Sequence, residues 1–105
     1  MARRHTLSFE ATHDLIDIRS HLTATANVQV ARHVLAQIRQ ALSLLATNPG
    51  AGHSRTDLTD LPVRFWPVFS YLVVYDPAMH PIGIARVLHG NRDLVALLQP
   101  RPPRA

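Results

Sequence analysis

The segment Ile82-Gly-Ile-Ala-Arg-Val-Leu-His-Gly-Asn-Arg-Asp-Leu94 constrains this chain more than any other. It reads as a strand that stops at a glycine and gives way to a helix. Alternation puts Ile82, Ile84, Arg86 and Leu88 on one face and Gly83, Ala85, Val87 and His89 on the other. Both faces are mostly apolar, which suits a strand inside a sheet covered on both sides. Gly90 permits a backbone conformation closed to residues with a Cβ, so a sharp turn is expected there. Asn91 suits a helix N-cap, and Asp93 falls in the first turn, where a carboxylate favours the helix dipole. Two arginines and a histidine (Arg86, His89, Arg92) crowd this turn, so a working surface is expected here.

The covering layers come from earlier in the chain. A short strand near Thr6–Ser8 precedes a helix over about 9–23, with Ser8 as N-cap and Ala11, Leu15, Ile18 and Leu22 at helical spacing. Asp14, Asp17 and Arg19 are read as lying off that stripe. A second helix is expected over about 28–46, capped by Asn27. Its stripe is Ala31, Leu35, Ile38, Leu42 and Leu45, widened by Val34, Ala41 and Leu44. Thr47-Asn-Pro-Gly50 ends it. Two helices with a short joint form an antiparallel hairpin, and each needs a further layer over its single stripe.

The polar stretch 51–60 reads as a loop. Leu61–Val68 carries Pro62 and Pro67, which confine it to a short or edge strand. Phe69–Tyr75 is the strongest strand pattern. Residues 76–81 form a turn, and the strand of the opening returns antiparallel. A short helix is expected over about 91–98, followed by an extended tail, 99–105, with three prolines and two arginines. The order is β-α-α-β-β-β-α. This predicts an α+β fold: a small, mainly antiparallel sheet packed by a helical hairpin, as one domain over 1–98.

Composition narrows the function. With 105 residues, 47% hydrophobic and 17% charged, the chain has the make-up of a folded globular domain. No apolar run nears the roughly 20 residues of a membrane span, and the N-terminal residues lack a signal-peptide core, so a cytoplasmic location is expected. There is no cysteine, hence no disulfide or thiolate chemistry. The net charge is +4 and every cation is arginine. A fixed basic surface suits nucleic acid or an acidic protein partner, and no lysine is available as a base. The seven histidines never fall at the short spacings of a metal pair, so no metal or cofactor is expected.

Four stretches together resemble the ParE/RelE toxin family of bacterial toxin–antitoxin systems. They are "LSFEATHDLIDI", "LATNPGAG", "LPVRFWPVFSYLVVYDP" and "IARVLHGNRDL". The last is the most specific and points to the ParE branch. The resemblance implies a cognate acidic antitoxin that wraps the toxin in a hetero-oligomer, and DNA contact made indirectly through that antitoxin. An antitoxin peptide would add a strand or lay a helix in a groove. For ParE-like members the implied activity is inhibition of DNA gyrase and a block of replication. For RelE-like members it is cleavage of ribosome-bound mRNA. A third reading is a non-toxic module that binds its antitoxin and represses the operon.

RNA cleavage needs a base, an acid and cations around the phosphorane. The candidates are Arg64, Arg86, His89 and Arg92, but arginine does not readily give up a proton, which leaves the His89 imidazole as the one group able to serve as acid or base. The chain is therefore read as a docking inhibitor without catalytic residues. Arg64, Arg86, His89, Arg92, Arg101 and Arg104 are candidates for target or antitoxin binding. Gly52, Gly90 and Asp93 are candidates for structural roles. For three of the basic groups another role is also open: Arg86 pairing with Asp93 or capping helix carbonyls, His89 bonding the backbone at the turn, and Arg64 forming a surface ion pair.

Overall fold

The computed structural model describes residues 4–98. The tail 99–105, with Arg101 and Arg104, lies outside the described residues. The elements are β1 (His5–Leu7), α1 (Phe9–Thr25), α2 (Val28–Thr47), β2 (Arg64–Val68), β3 (Tyr71–Asp76), β4 (Ile82–His89) and α3 (Leu94–Leu97). The α+β order and the helical hairpin are those expected from the periodicity.

Both long helices start where a side chain takes up an otherwise unpaired backbone donor. Ser8 Oγ accepts from Ala11 N at 2.9 Å, and Asn27 Oδ1 accepts from Val30 N at 2.9 Å. The strands form one sheet in the order β1-β4-β3-β2. β1 runs parallel to β4, and the other pairings are antiparallel. β2, with Pro67, holds an edge, where a residue without an N–H is tolerated.

β4 is an inner strand with a core on each face. On one face Ile82, Ile84 and Val87 join Tyr71, Val73 and Tyr75 against Ile38, Leu42 and Leu45 of α2 and Ala11 and Ile18 of α1. Ile38 and Leu45 are fully buried, and each such side chain contributes about 1.5–3 kcal/mol. On the other face Leu88 packs with Val74, Phe65, Leu94 and Leu98. Here α3 and the loop residues Leu58 and Val63 form the cover. Leu44, expected to widen the α2 stripe, is instead exposed.

Three local expectations are corrected. The strict alternation along β4 breaks: Val74 pairs with Arg86 but Tyr75 pairs with Ile84, so Ala85 is the extra residue of a β-bulge. Val87 consequently joins the helix-side core with Ile84, whereas Leu88 faces the other cluster. The strand expected from Leu61 begins at Arg64, after bends at 60–62, and the strand expected from Phe69 begins at Tyr71, because Phe69 and Ser70 form the two-residue turn between β2 and β3. No described glycine, Gly90 included, has a positive φ; the left-handed residue is Phe69, at φ 54°.

Candidate functional site

β1 pairs with β4 only as far as Leu7 opposite Ile84. Beyond that point the outer backbone groups of β4 need other partners. α1 supplies them. Ser8 N donates to Ile84 O at 2.9 Å, and Ser8 Oγ donates to Ala85 O at 2.6 Å. Val87 N donates to Asp14 Oδ2 at 2.9 Å. The same carboxylate accepts Arg86 Nε at 2.8 Å and Arg86 Nη2 at 2.9 Å, a two-pronged ion pair. One acidic side chain thus closes the strand edge and neutralises the arginine beside the bulge. The Asp14 hydrogen bonds raise the Arg86 pKa above its ordinary value, against the opposing effect of burial.

This settles two expectations. Arg86 pairs with Asp14, not with Asp93 or a helix carbonyl. Asp14 is not off the α1 stripe: it is 7% exposed, the buried charged residue among the core positions. Its spacing carried the signal, since position 14 lies three residues after Ala11 and four before Ile18. Its charge argued the other way.

Beyond Arg86 the chain reaches the final turn. His89 lies opposite Tyr71 across the strand pair, with ring centroids 5.1 Å apart in an edge-to-face contact. His89 Nδ1 accepts from Asn91 N at 3.2 Å, so the imidazole braces the turn backbone. Gly90 N donates to Ser70 O at 2.7 Å, and a Cβ on Gly90 would stand 3.3 Å from that same oxygen. The glycine therefore answers a close approach of two turns. Asn91 and Arg92 are used up in the turn, which corrects the expected cap and helix start. Asp93 is the N-cap of α3, accepting from Ala96 N at 3.2 Å. The Arg92 side chain is exposed and forms no ion pair or hydrogen bond among the described residues.

A cleft of about 340 Å³ opens between α1 and this turn. Asp14, Asp17, Ile18 and His21 of α1 line one side; Tyr71, Val87, His89, Asn91 and Arg92 line the other. Burial raises the pKa of the Tyr71 phenol above its ordinary value. The cleft therefore joins His89 to Arg92, and Asp14, the partner of Arg86, lies in its wall.

Arg64 does not join them. It lies opposite Tyr75, at the other end of β2 and β3 from the pairing of Tyr71 with His89. Its Nη1 donates to Gly52 O at 2.7 Å. Gly52 N donates to the Tyr75 hydroxyl at 2.8 Å, and that hydroxyl donates to Pro49 O at 2.7 Å. A Cβ on Gly52 would stand 2.6 Å from the hydroxyl and 2.9 Å from Phe65 O. Gly52→Ala should therefore force the loop off Tyr75 and cost about 1–3 kcal/mol by overpacking. Urea unfolding followed by circular dichroism measures this; a cost under about 0.5 kcal/mol would show that the loop yields freely.

α1 also carries apolar residues on its outer side, which the sequence reading did not single out. Phe9 is 75% and Ile16 is 54% exposed, two turns apart, and the His13 ring packs 4.6 Å from that of Phe9. Leu7 on the neighbouring edge strand is exposed as well. Among the described residues no helix is long and apolar enough to cross a membrane.

Comparison with known proteins places this geometry. None of the curated proteins compared with the chain matches it. A solved structure, described as the chromosomal ParDE TA system from P. aeruginosa, shares its fold with a TM-score of 0.68 at 19% identity. The alignment covers 84% of this chain and 96% of that one. The family model for the ParE toxin of the type II toxin–antitoxin system, parDE, matches residues 6–94, a span from β1 to the start of α3 that includes Asp14, Arg86, His89 and Arg92. The chain therefore belongs to the ParE toxin family of type II toxin–antitoxin systems.

Proposed function

We propose that this protein inhibits DNA gyrase by docking, performs no bond-breaking chemistry of its own, and is silenced in the cytoplasm by an acidic antitoxin. The observation that carries this reading is that, of the four candidates for RNA cleavage, only His89 and Arg92 line the cleft, and the other two are engaged elsewhere. Arg64 stands at the far end of the sheet on Gly52 O, and Arg86 is held by Asp14. His89 spends Nδ1 on the turn backbone. What remains at the last turn is fixed positive charge on Arg92, which suits recognition better than proton transfer. The exposed Leu7, Phe9 and Ile16 supply an apolar surface for the antitoxin to cover, and the +4 charge favours encounter with an acidic chain.

The test is supercoiling of relaxed plasmid by purified gyrase with and without this chain. Loss of supercoiling that the co-purified antitoxin restores is the expected result. Unchanged supercoiling, with ribosome-bound message cut instead, would transfer the protein to the ribonuclease reading.

A further inference from the structure

A second charged feature lies away from the last turn. The groove between α1 and α2 is lined by Arg19 and Thr23 from one helix and by Val28, Arg32, Leu35 and Arg39 from the other, among others, and has a volume of about 440 Å³. All three arginines are exposed. Among the described residues the ion pairs are Arg55–Asp57 and Arg86–Asp14, so these three guanidinium groups engage no carboxylate. No acidic residue lines the groove. The first turn of α2, which begins at Val28 in the groove wall, carries no acidic residue either, so the positive end of a 20-residue helix adds to the field.

We infer that this groove grips the phosphate backbone of double-stranded DNA without reading its sequence. The guanidinium fork matches phosphate oxygens, and the α2 pair, Arg32 and Arg39, stands two helical turns apart, roughly 10 Å along the axis. The lining contains no aromatic side chain, so it offers no platform for the unstacked bases of a single strand. It contains no asparagine or glutamine to read the edge of adenine. An amphipathic acidic peptide fits less well. Such a helix needs apolar anchors, and Ala31 and Leu35 in the floor are already 2% and 7% exposed, leaving Val28 as the accessible apolar wall. The inference is independent of gyrase as the target, because it concerns the affinity of the toxin for DNA itself.

The experiment is fluorescence anisotropy of a labelled 20-base-pair duplex of arbitrary sequence, titrated with the full chain between 50 and 200 mM salt. Three phosphate contacts contribute about −2.7 to the slope of log K against log salt, or about 40-fold weaker binding across that range. The R19Q/R32Q/R39Q variant should lose that part of the slope. R32Q alone should lose about 0.9 of it, and serves if the triple variant fails to fold. R55A, whose guanidinium is held by Asp57, should lose none. Equal slopes for wild type and R32Q, or no duplex binding by wild type at 50 mM salt, would overturn the inference. So would an acidic peptide that binds more tightly than the duplex and releases on the same substitutions, since the groove would then belong to a protein partner.

Discussion

Asp14→Ala is expected to destabilise the fold by about 3–5 kcal/mol, the cost of removing one member of a buried ion pair. Asp14 accepts three hydrogen bonds, two from Arg86 and one from Val87 N. Its loss leaves a largely buried guanidinium without a counter-charge and a strand N–H without an acceptor. Arg86 keeps 22% side-chain exposure, so part of its charge can reach water, and the lower half of the range is the better expectation. In a domain of this size that loss lowers the melting temperature by more than about 10 °C. The double variant Asp14→Leu/Arg86→Met separates charge from packing. It removes the stranded cation and should recover the share of the loss due to it, leaving about 1–2 kcal/mol for the unpaired Val87 N–H. A single-variant cost below about 1 kcal/mol would class the pair with exposed salt bridges.

Arg92 should behave in the opposite way. Its side chain is exposed and makes no described polar contact, so Arg92→Ala should change stability by no more than about 0.5 kcal/mol. Its loss should nevertheless weaken inhibition of supercoiling about 10- to 30-fold, the effect of deleting an arginine at the centre of a contact. Arg92→Glu should do more, since it sets like charges against each other wherever the target is acidic. Titrating each variant against gyrase, with a melting curve on the same preparation, measures both quantities. Unfolding by Arg92→Ala, or undiminished inhibition, would show that Arg92 belongs to the scaffold instead.

The contrast between these two residues shows what the amino-acid pattern reveals. Element order was legible because α2 keeps an apolar stripe through Ala31, Leu35, Ile38, Leu42 and Leu45, all buried. The central place of β4 was legible because both of its faces are apolar. The Asp14–Arg86 pair was not, since it joins positions 72 apart and ion pairing leaves no periodic trace. The bulge at Ala85 was equally hidden: one inserted residue among small and branched apolar ones has no composition of its own, yet it decides which side of the sheet Val87 and Leu88 face. Asn91 looked like a cap because its type suits one. Tertiary contacts at Ser70 and His89 consumed that turn and moved the cap to Asp93. The arginine groove was missed for a related reason. Arg19 stands on one helix and Arg32 and Arg39 on the other, and only the hairpin brings them to one channel.

The central claim is that fixed charge beside the last turn obstructs a partner without moving protons. It is tested most directly by giving purified protein translating ribosomes in one reaction and gyrase in a parallel one, then mapping message ends and plasmid topology. The expected outcome is relaxed plasmid and intact message for both the wild type and His89→Ala. Message cut by the wild type and spared by a folded His89→Ala variant would contradict it.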